Sequence, residues 1–250
     1  VLRRPPGIRV YGVTGSSGKT STKDLIASLL RRSGATIAPQ GSFNNEIGLP
    51  ITVLEVDTET EHLVLEYSAR GVGHIAYLCA IARPRIAVGL NVGSAHLGEF
   101  GSREAIAAAK GELVEALPAD GVAVLNIDDP RVAAMASRAN ARVLTYGEAE
   151  GADVRLTELS LDEQARPRFR LVTPHGDAVV SMALHGRHHA SNAAAAAAVA
   201  LEAGIGLGEV TDALVAATPR SAHRMDVQVR ADGLLVVDDA YNANPESMQA

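Results

Sequence analysis

Ile8-Arg-Val-Tyr-Gly-Val13 runs directly into Thr14-Gly15-Ser16-Ser17-Gly18-Lys19-Thr20, and these two stretches together decide the fold. The first is short, apolar and rich in β-branched residues, which predicts a buried strand. Beyond it Leu25, Ile26, Leu29 and Leu30 recur at helical spacing, so Thr20–Arg32 predicts an amphipathic helix. A glycine-serine turn between strand and helix is suited to phosphate. Its glycines let backbone N–H groups turn toward a ligand, and the helix N-terminus adds partial positive charge. Lys19 would reach terminal phosphates, and the Thr20 hydroxyl would ligate Mg²⁺. The usual G-x-x-x-x-G-K-[ST] spacing needs glycine at position 13. Val13 stands there, so the loop is a shortened variant.

Working outward, strand patterns recur at Ala35–Ala38, His62–Tyr67, Arg85–Asn91, Val122–Asn126 and Arg142–Tyr146. Helical patterns at Val72–Ala82, Ser102–Leu117 and Pro130–Ala139 separate several of them. This alternation predicts an α/β fold with a mostly parallel sheet flanked by helices. The rhythm changes after residue 150. Asp153–Leu161, Phe169–Thr173 and Ala178–Leu184 read as strands with no helix between them, which predicts a small antiparallel subsheet. His188–Ala203, which contains the run Ala193–Ala198, and Leu207–Ala217 read as helices. Met225–Val229 and Leu234–Val237 read as strands of a second unit, which sets the expected domains at 1–221 and 222–250.

Composition narrows the function classes. A chain of 250 residues with 47% hydrophobic and 21% charged residues is globular rather than disordered or fibrous. The 23 Lys and Arg against 29 Asp and Glu leave a net charge of −6, which argues against nucleic acid as a partner. No apolar run approaches the ~18 residues of a membrane-spanning helix, so no membrane insertion is expected. The single cysteine, Cys79, allows no internal disulfide and fits a reducing cytoplasm. Val1 is not methionine, and Pro245-Glu-Ser-Met248 reads as a helix beginning, so a piece of a longer protein is expected.

Chemistry-bearing residues cluster at predicted strand ends. Glu66 closes an apolar strand, where open α/β sheets place ligand groups; it reads either as a metal ligand or as an exposed strand-end carboxylate. His96, in Asn91-Val-Gly-Ser-Ala-His96, reads either as a second-metal ligand or as a surface group. Lys110 sits on the apolar stripe of its helix, between Ile106 and Leu113. A lysine there must pair, snorkel or be modified, because burial disfavours its charge. A neutral amine can add carbon dioxide to give a metal-binding carbamate. Asn192 is expected to face outward from the first turn of its helix, toward a base edge. His188 and His189 are adjacent and should diverge, which disfavours a two-histidine metal site. Asp128-Asp129-Pro130 reads as a helix cap.

Several segments match one family in order: the Thr14–Thr20 loop, Phe43-Asn-Asn-Glu-Ile-Gly-Leu-Pro50, Asn91-Val-Gly-Ser-Ala-His-Leu97, Phe100-Gly-Ser102, Ala109-Lys-Gly-Glu112 and Asp239-Ala-Tyr-Asn-Ala-Asn-Pro245. The chain resembles the Mur ligases, ATP-dependent amide-forming enzymes of peptidoglycan precursor synthesis. It is most similar to the branch that joins D-alanyl-D-alanine to UDP-N-acetylmuramoyl-tripeptide. The resemblance implies the central ATPase domain of a three-domain cytoplasmic enzyme, plus the first strands of its C-terminal domain. It implies ATP and two Mg²⁺ ions, those two substrates, and a monomer.

Site roles follow from the resemblance residue by residue. Gly15, Ser16, Ser17, Gly18, Lys19, Thr20 and Ser21 would hold phosphates, with Lys19 catalytic. Thr20 and Glu66 would bind the first Mg²⁺ and His96 the second. Lys110 would be a carbamylated lysine able to serve as a metal ligand. Asn192 would contact adenine, Arg224 and Asp239 the phosphates and ribose, and Asn44 and Asn45 would form the substrate-side loop. Two positions depart from the family: His189 stands where asparagine is frequent, and Glu66-Tyr-Ser replaces a frequent Glu-Met-Gly. Three other readings stay open: a sister Mur ligase or folylpolyglutamate synthase, a P-loop kinase, and a nucleotide-binding module without turnover.

Overall fold

The computed structural model describes residues 7–94, 97–243 and 248. In chain order its elements are β1 Arg9–Thr14, α1 Lys19–Leu30, β2 Thr36–Ile37, α2 Gly48–Leu54, β3 His62–Glu66, α3 His74–Ile81, β4 Ile86–Gly89, α4 Leu97–Phe100 and α5 Arg103–Glu115. There follow β5 Val122–Asn126, α6 Pro130–Ala133, a 3-10 turn at Ala134–Arg138, β6 Arg142–Gly147, β7 Val154–Leu161, β8 Pro167–Thr173 and β9 Gly176–Ser181. The last are α7 His188–Glu202, α8 Leu207–Val215, β10 Asp226–Val229 and β11 Leu235–Asp238.

The main sheet has the order β2-β3-β1-β4-β5-β6-β7-β8-β9, and its pairs are parallel from β2 through β7. Every residue of β3 and β4 is buried, as expected of parallel strands covered on both faces. Alternate side chains feed two cores. Tyr11, Val13, Val64, Val88 and Val124 face α1, α7 and α8. Val10, Leu63, Leu65, Ala87 and Leu125 face α3 and α5. The alanine run of α7 is buried on all sides, so this helix is an interior slab against which α1 and the sheet pack closely.

The expected antiparallel strands are present: β7, β8 and β9 pair antiparallel and extend the parallel sheet at one edge. The β6–β7 pair is parallel although only residues 148–153 connect the strands, because just Tyr146↔Val154 and Gly147↔Arg155 overlap. Pro130–Ala139 divides into α6 and a 3-10 turn rather than one helix. A helix unforeseen in the sequence, α2, begins in Gly-Leu-Pro50. Glycine and proline masked it, yet proline is tolerated in a first turn. The Asn45 side chain caps it by accepting from the Ile47 and Gly48 N–H groups at 3.1 and 2.8 Å.

Among the described residues, strands β10 and β11 pair only with each other, antiparallel. Among the described residues no helix is long and apolar enough to cross a membrane.

Candidate functional site: a phosphate loop and a buried carboxylate

Adjacent strands β3, β1 and β4 end at one sheet edge and deliver Glu66, the loop after Thr14, and Asn91 side by side. The loop is shaped by sterics and by Asn91. A Cβ on Gly15 would lie 2.8 Å from the Leu90 Cβ, so only glycine lets the chain pass. Gly18 has φ 79°, a left-handed conformation that starts α1. Asn91 Oδ1 accepts the Ser16 and Ser17 N–H groups at 3.0 and 2.9 Å, and its Nδ2 donates to the Ser17 carbonyl at 3.2 Å. The Ser16 hydroxyl accepts from Gly93 N at 2.9 Å. The first N–H groups of α1, which have no intrahelical partner, therefore open onto the cleft.

That cleft has a volume of about 460 Å³, and Ser16 through Ser21, Asn44, Asn45, Glu66, Asn192, Arg224 and Asp239 all line it. Lys19 Nζ donates to the Gly15 carbonyl at 2.7 Å. Burial lowers its pKa; the Glu66 charge opposes this and the Arg224 charge adds to it. Glu66 is fully buried rather than exposed, and burial raises its pKa against the pull of Lys19 and Lys23. Its Oε2 accepts from Asn44 Nδ2 at 3.2 Å, while Oε1 has no partner among the described residues. The Thr20 hydroxyl accepts from the Arg224 guanidinium at 3.1 Å. Arg224 also stacks on the Tyr241 ring, 3.8 Å from its centroid. Asp239 Oδ1 accepts the Met225 N–H at 3.1 Å. The segment after residue 219 is thus tied to the phosphate loop.

Asn192 corrects the expectation that it faces outward. It is buried, and a Cβ on Gly18 would meet its Oδ1 at 2.9 Å. The first turn of α7 lines the cleft, with Asn192 covered beside Gly18. His188 and His189 do not diverge either: their ring centroids are 4.4 Å apart. Gly186, at φ 108°, permits this, since a Cβ there would strike His188 Cε1 at 2.5 Å. Burial pushes His189 down to about 3, helped by the charges of His188 and His185.

Lys110 is 8% exposed and has no acidic partner among the described residues. Burial, then the positive charge of Lys19, holds its pKa well below the ordinary lysine value. That favours the neutral amine. His96 lies outside the described residues, as do Asn244 and Pro245. Sequence reasoning left Asn91, Lys23 and Glu112 without roles. Glu112 accepts the Gly73 and Ala76 N–H groups at 2.5 and 2.9 Å, and so fastens α5 to the start of α3. A charged residue amid apolar helical positions was the available signal for Lys23 and Glu112.

Among the described residues five buried side-chain atoms have no partner, and four belong to residues lining this cleft: Glu66 Oε1, His188 Nδ1, His189 Nδ1 and Asn192 Nδ2. Buried polar atoms are normally satisfied. An acceptor beside a phosphate loop, with amide and imidazole groups beyond it, fits a metal-bound nucleotide with its base at the α7 end. Thr20 and Glu66 supply the oxygen donors that Mg²⁺ prefers.

Comparison with known proteins identifies the family. Residues 13–200 match the Mur ligase middle domain. The chain is 54% identical over 244 residues to the UDP-N-acetylmuramoyl-tripeptide--D-alanyl-D-alanine ligase of Mycobacterium tuberculosis, covering 98% of this chain and 48% of that protein. Crystal structure I of MurF from Acinetobacter baumannii superposes with a TM-score of 0.92 at 37% identity, covering 98% of this chain and 53% of the other. The MurF ligase of Thermotoga maritima, solved in complex with ADP, gives 0.85 at 35% identity, with coverage of 97% and 56%. The chain spans about half the length of the curated relatives it matches. With a shortened phosphate loop, a buried strand-end carboxylate and a middle-domain match across most of its length, this chain belongs to the Mur ligase family.

Proposed function

We propose that this chain is the nucleotide-handling part of an ATP-dependent ligase that joins D-alanyl-D-alanine to UDP-N-acetylmuramoyl-tripeptide. The observation that carries the reading is the cleft, where a phosphate loop, Lys19 and the unpartnered Glu66 oxygen converge. Identity of 54% to relatives of that name supports the substrate pair. In the reaction, the tripeptide's terminal carboxylate takes the γ-phosphoryl group of ATP and ADP leaves. The D-alanyl-D-alanine amine then attacks the acyl carbon, loses a proton and displaces phosphate to form the amide.

Thr20 and Glu66 would hold Mg²⁺, His96 would serve a second ion, and Lys110, once carbamylated, would be a further metal ligand; Mg²⁺ supplies charge neutralisation between carboxylate and triphosphate. Lys19 and the N-terminal amides of α1 hold phosphate oxygens and stabilise charge that develops during transfer. Asn192 faces the base, Arg224 and Asp239 face phosphates and ribose, and Asn44 and Asn45 lie on the substrate side. These groups work by positioning and electrostatics rather than by covalent chemistry. The boundary of this nucleotide unit falls near residue 221.

Calorimetry of Mg²⁺-ATP binding to this chain and to Lys19→Ala tests the nucleotide site. Binding lost in the variant supports it, and equal binding refutes it. Phosphate release that depends on D-alanyl-D-alanine, measured on the protein at the length of its relatives, tests the substrates. A second reading is favoured by the half-length coverage: this chain alone binds nucleotide without turnover. ATP binding without phosphate release by the 250-residue chain is its signature.

A further inference from the structure

Lys23 stands one turn beyond Lys19 on α1 and is fully buried. A buried ammonium is strongly unfavourable unless its protons are matched. Here they are. Nζ donates to the Pro39 and Gly41 carbonyls at 2.5 and 3.0 Å and pairs with Asp24 Oδ1 at 2.9 Å. Bonds from a charged donor are roughly twice as strong as neutral ones. The two carbonyls belong to residues 38–47, which form neither helix nor strand. Between Pro39 and Phe43 the other described hydrogen bond joins the hydroxyls of half-buried Ser42 and exposed Tyr241.

Just beyond Gly41 the same segment reaches the carboxylate. Asn44 Nδ2 donates to Glu66 Oε2, and the Asn44 carbonyl accepts the Ser68 N–H at 3.0 Å. One short path therefore runs from the phosphate helix through Lys23 and the Pro39–Gly41 carbonyls to Asn44 and Glu66. We propose that Lys23 is a positioning residue: it anchors residues 39–45 to α1 so that Asn44 fixes the Glu66 carboxylate beside the phosphate loop. This rests on the reading of Glu66 as a metal ligand. A neutral side chain of the same length would leave two carbonyls unsatisfied and the segment free to move.

A double-mutant cycle on this chain, Lys23→Met with Asn44→Ala, tests the proposal through two readouts. The first needs no ligand. Amide hydrogen exchange at Ser68 is expected to quicken about tenfold or more in Lys23→Met while β1 and α7 keep wild-type rates. The second is the factor by which Mg²⁺ raises ATP affinity. Each single variant is expected to cut that factor about tenfold and the double variant no further, because both interrupt one path. Unchanged exchange at Ser68, or additive losses in the cycle, overturn the proposal. If the wild-type chain binds no ATP at all, the functional reading fails, while the exchange comparison still decides the role of Lys23. Should Lys23→Met quicken β1 and α7 equally, Lys23→Gln replaces it, and equal acceleration there also counts against positioning.

Discussion

Asn91 shapes the loop after Thr14 through side-chain hydrogen bonds. Its amide accepts two loop N–H groups and returns one bond to the Ser17 carbonyl. Those bonds set the curvature that leaves the N-terminal amides of α1 for a ligand. Removing the amide leaves the Ser17 N–H without its acceptor, while the Ser16 N–H keeps the Asn91 main-chain carbonyl at 3.1 Å; the cost is about 1–3 kcal/mol. Asn91→Ala should therefore weaken ATP binding by roughly 10–100-fold in calorimetry. An affinity within about twofold of wild type would show the loop to be self-supporting. Lys110 invites a different measurement. Burial and the Lys19 charge favour its neutral amine, which can add carbon dioxide. The carbamate would then be an anion facing Lys19. Isotopically labelled bicarbonate should give a carbamate resonance in the wild-type chain that is absent in Lys110→Arg. Identical spectra would remove the modification from the site.

Among the elements, β1 and α5 show how closely backbone and side chains must meet to place Lys110. Gly12 lies beneath α5, where a Cβ would come within 2.9 Å of Tyr67 Cε2 and 3.1 Å of Leu113 Cδ1. The Tyr67 ring is held in place because its hydroxyl donates to the Ala82 carbonyl. Gly12→Ala should lower stability by about 1–3 kcal/mol, a fall in Tm of roughly 2–4 °C per kcal/mol for a chain of this size. Gly208, in α8, has open space around its missing Cβ. Gly208→Ala should instead raise stability by about 0.5–1 kcal/mol through helix propensity. Thermal unfolding of both variants checks the pair, and shifts of the same sign would contradict the packing argument.

The whole molecule should lose stability in mild acid because its buried histidines resist protonation. His189 is held at about 3 against 6.5 for the free side chain, mainly by burial. His62 and His188 shift in the same direction, also first by burial. Between those values the unfolded chain binds a proton that the folded chain refuses. The stabilising preference is therefore complete above pH 6.5 and is lost as pH falls toward 3. The slope is about 1.4 kcal/mol per pH unit, or about 2 kcal/mol from His189 alone at pH 5. Glu66 works oppositely: its raised pKa lets the folded state take up a proton first, so its contribution grows more favourable as pH falls. Denaturant titrations from pH 7 to 5 should show a shallower acid limb in His189→Asn than in wild type. Parallel limbs would mean that His189 is protonated without unfolding.

What the sequence determined by itself is what short-range physics controls. The apolar run to Val13, the glycines of the loop and the Leu25–Leu30 stripe announce strand, phosphate turn and helix, because each pattern needs only its neighbours. Alternating strand and helix segments likewise make a parallel sheet legible, and the terminal carboxylate of an apolar strand marks Glu66 as a candidate. Only the tertiary structure decided how exposed each of these groups is and what it meets. It buried Glu66, covered Asn192 beside Gly18, joined β7–β9 to the main sheet, and brought Asn91 and Lys23 to partners far off in the chain. Burial and long-range hydrogen bonds depend on which surfaces the packed sheet and helices bring together, and no local window of residues contains that information.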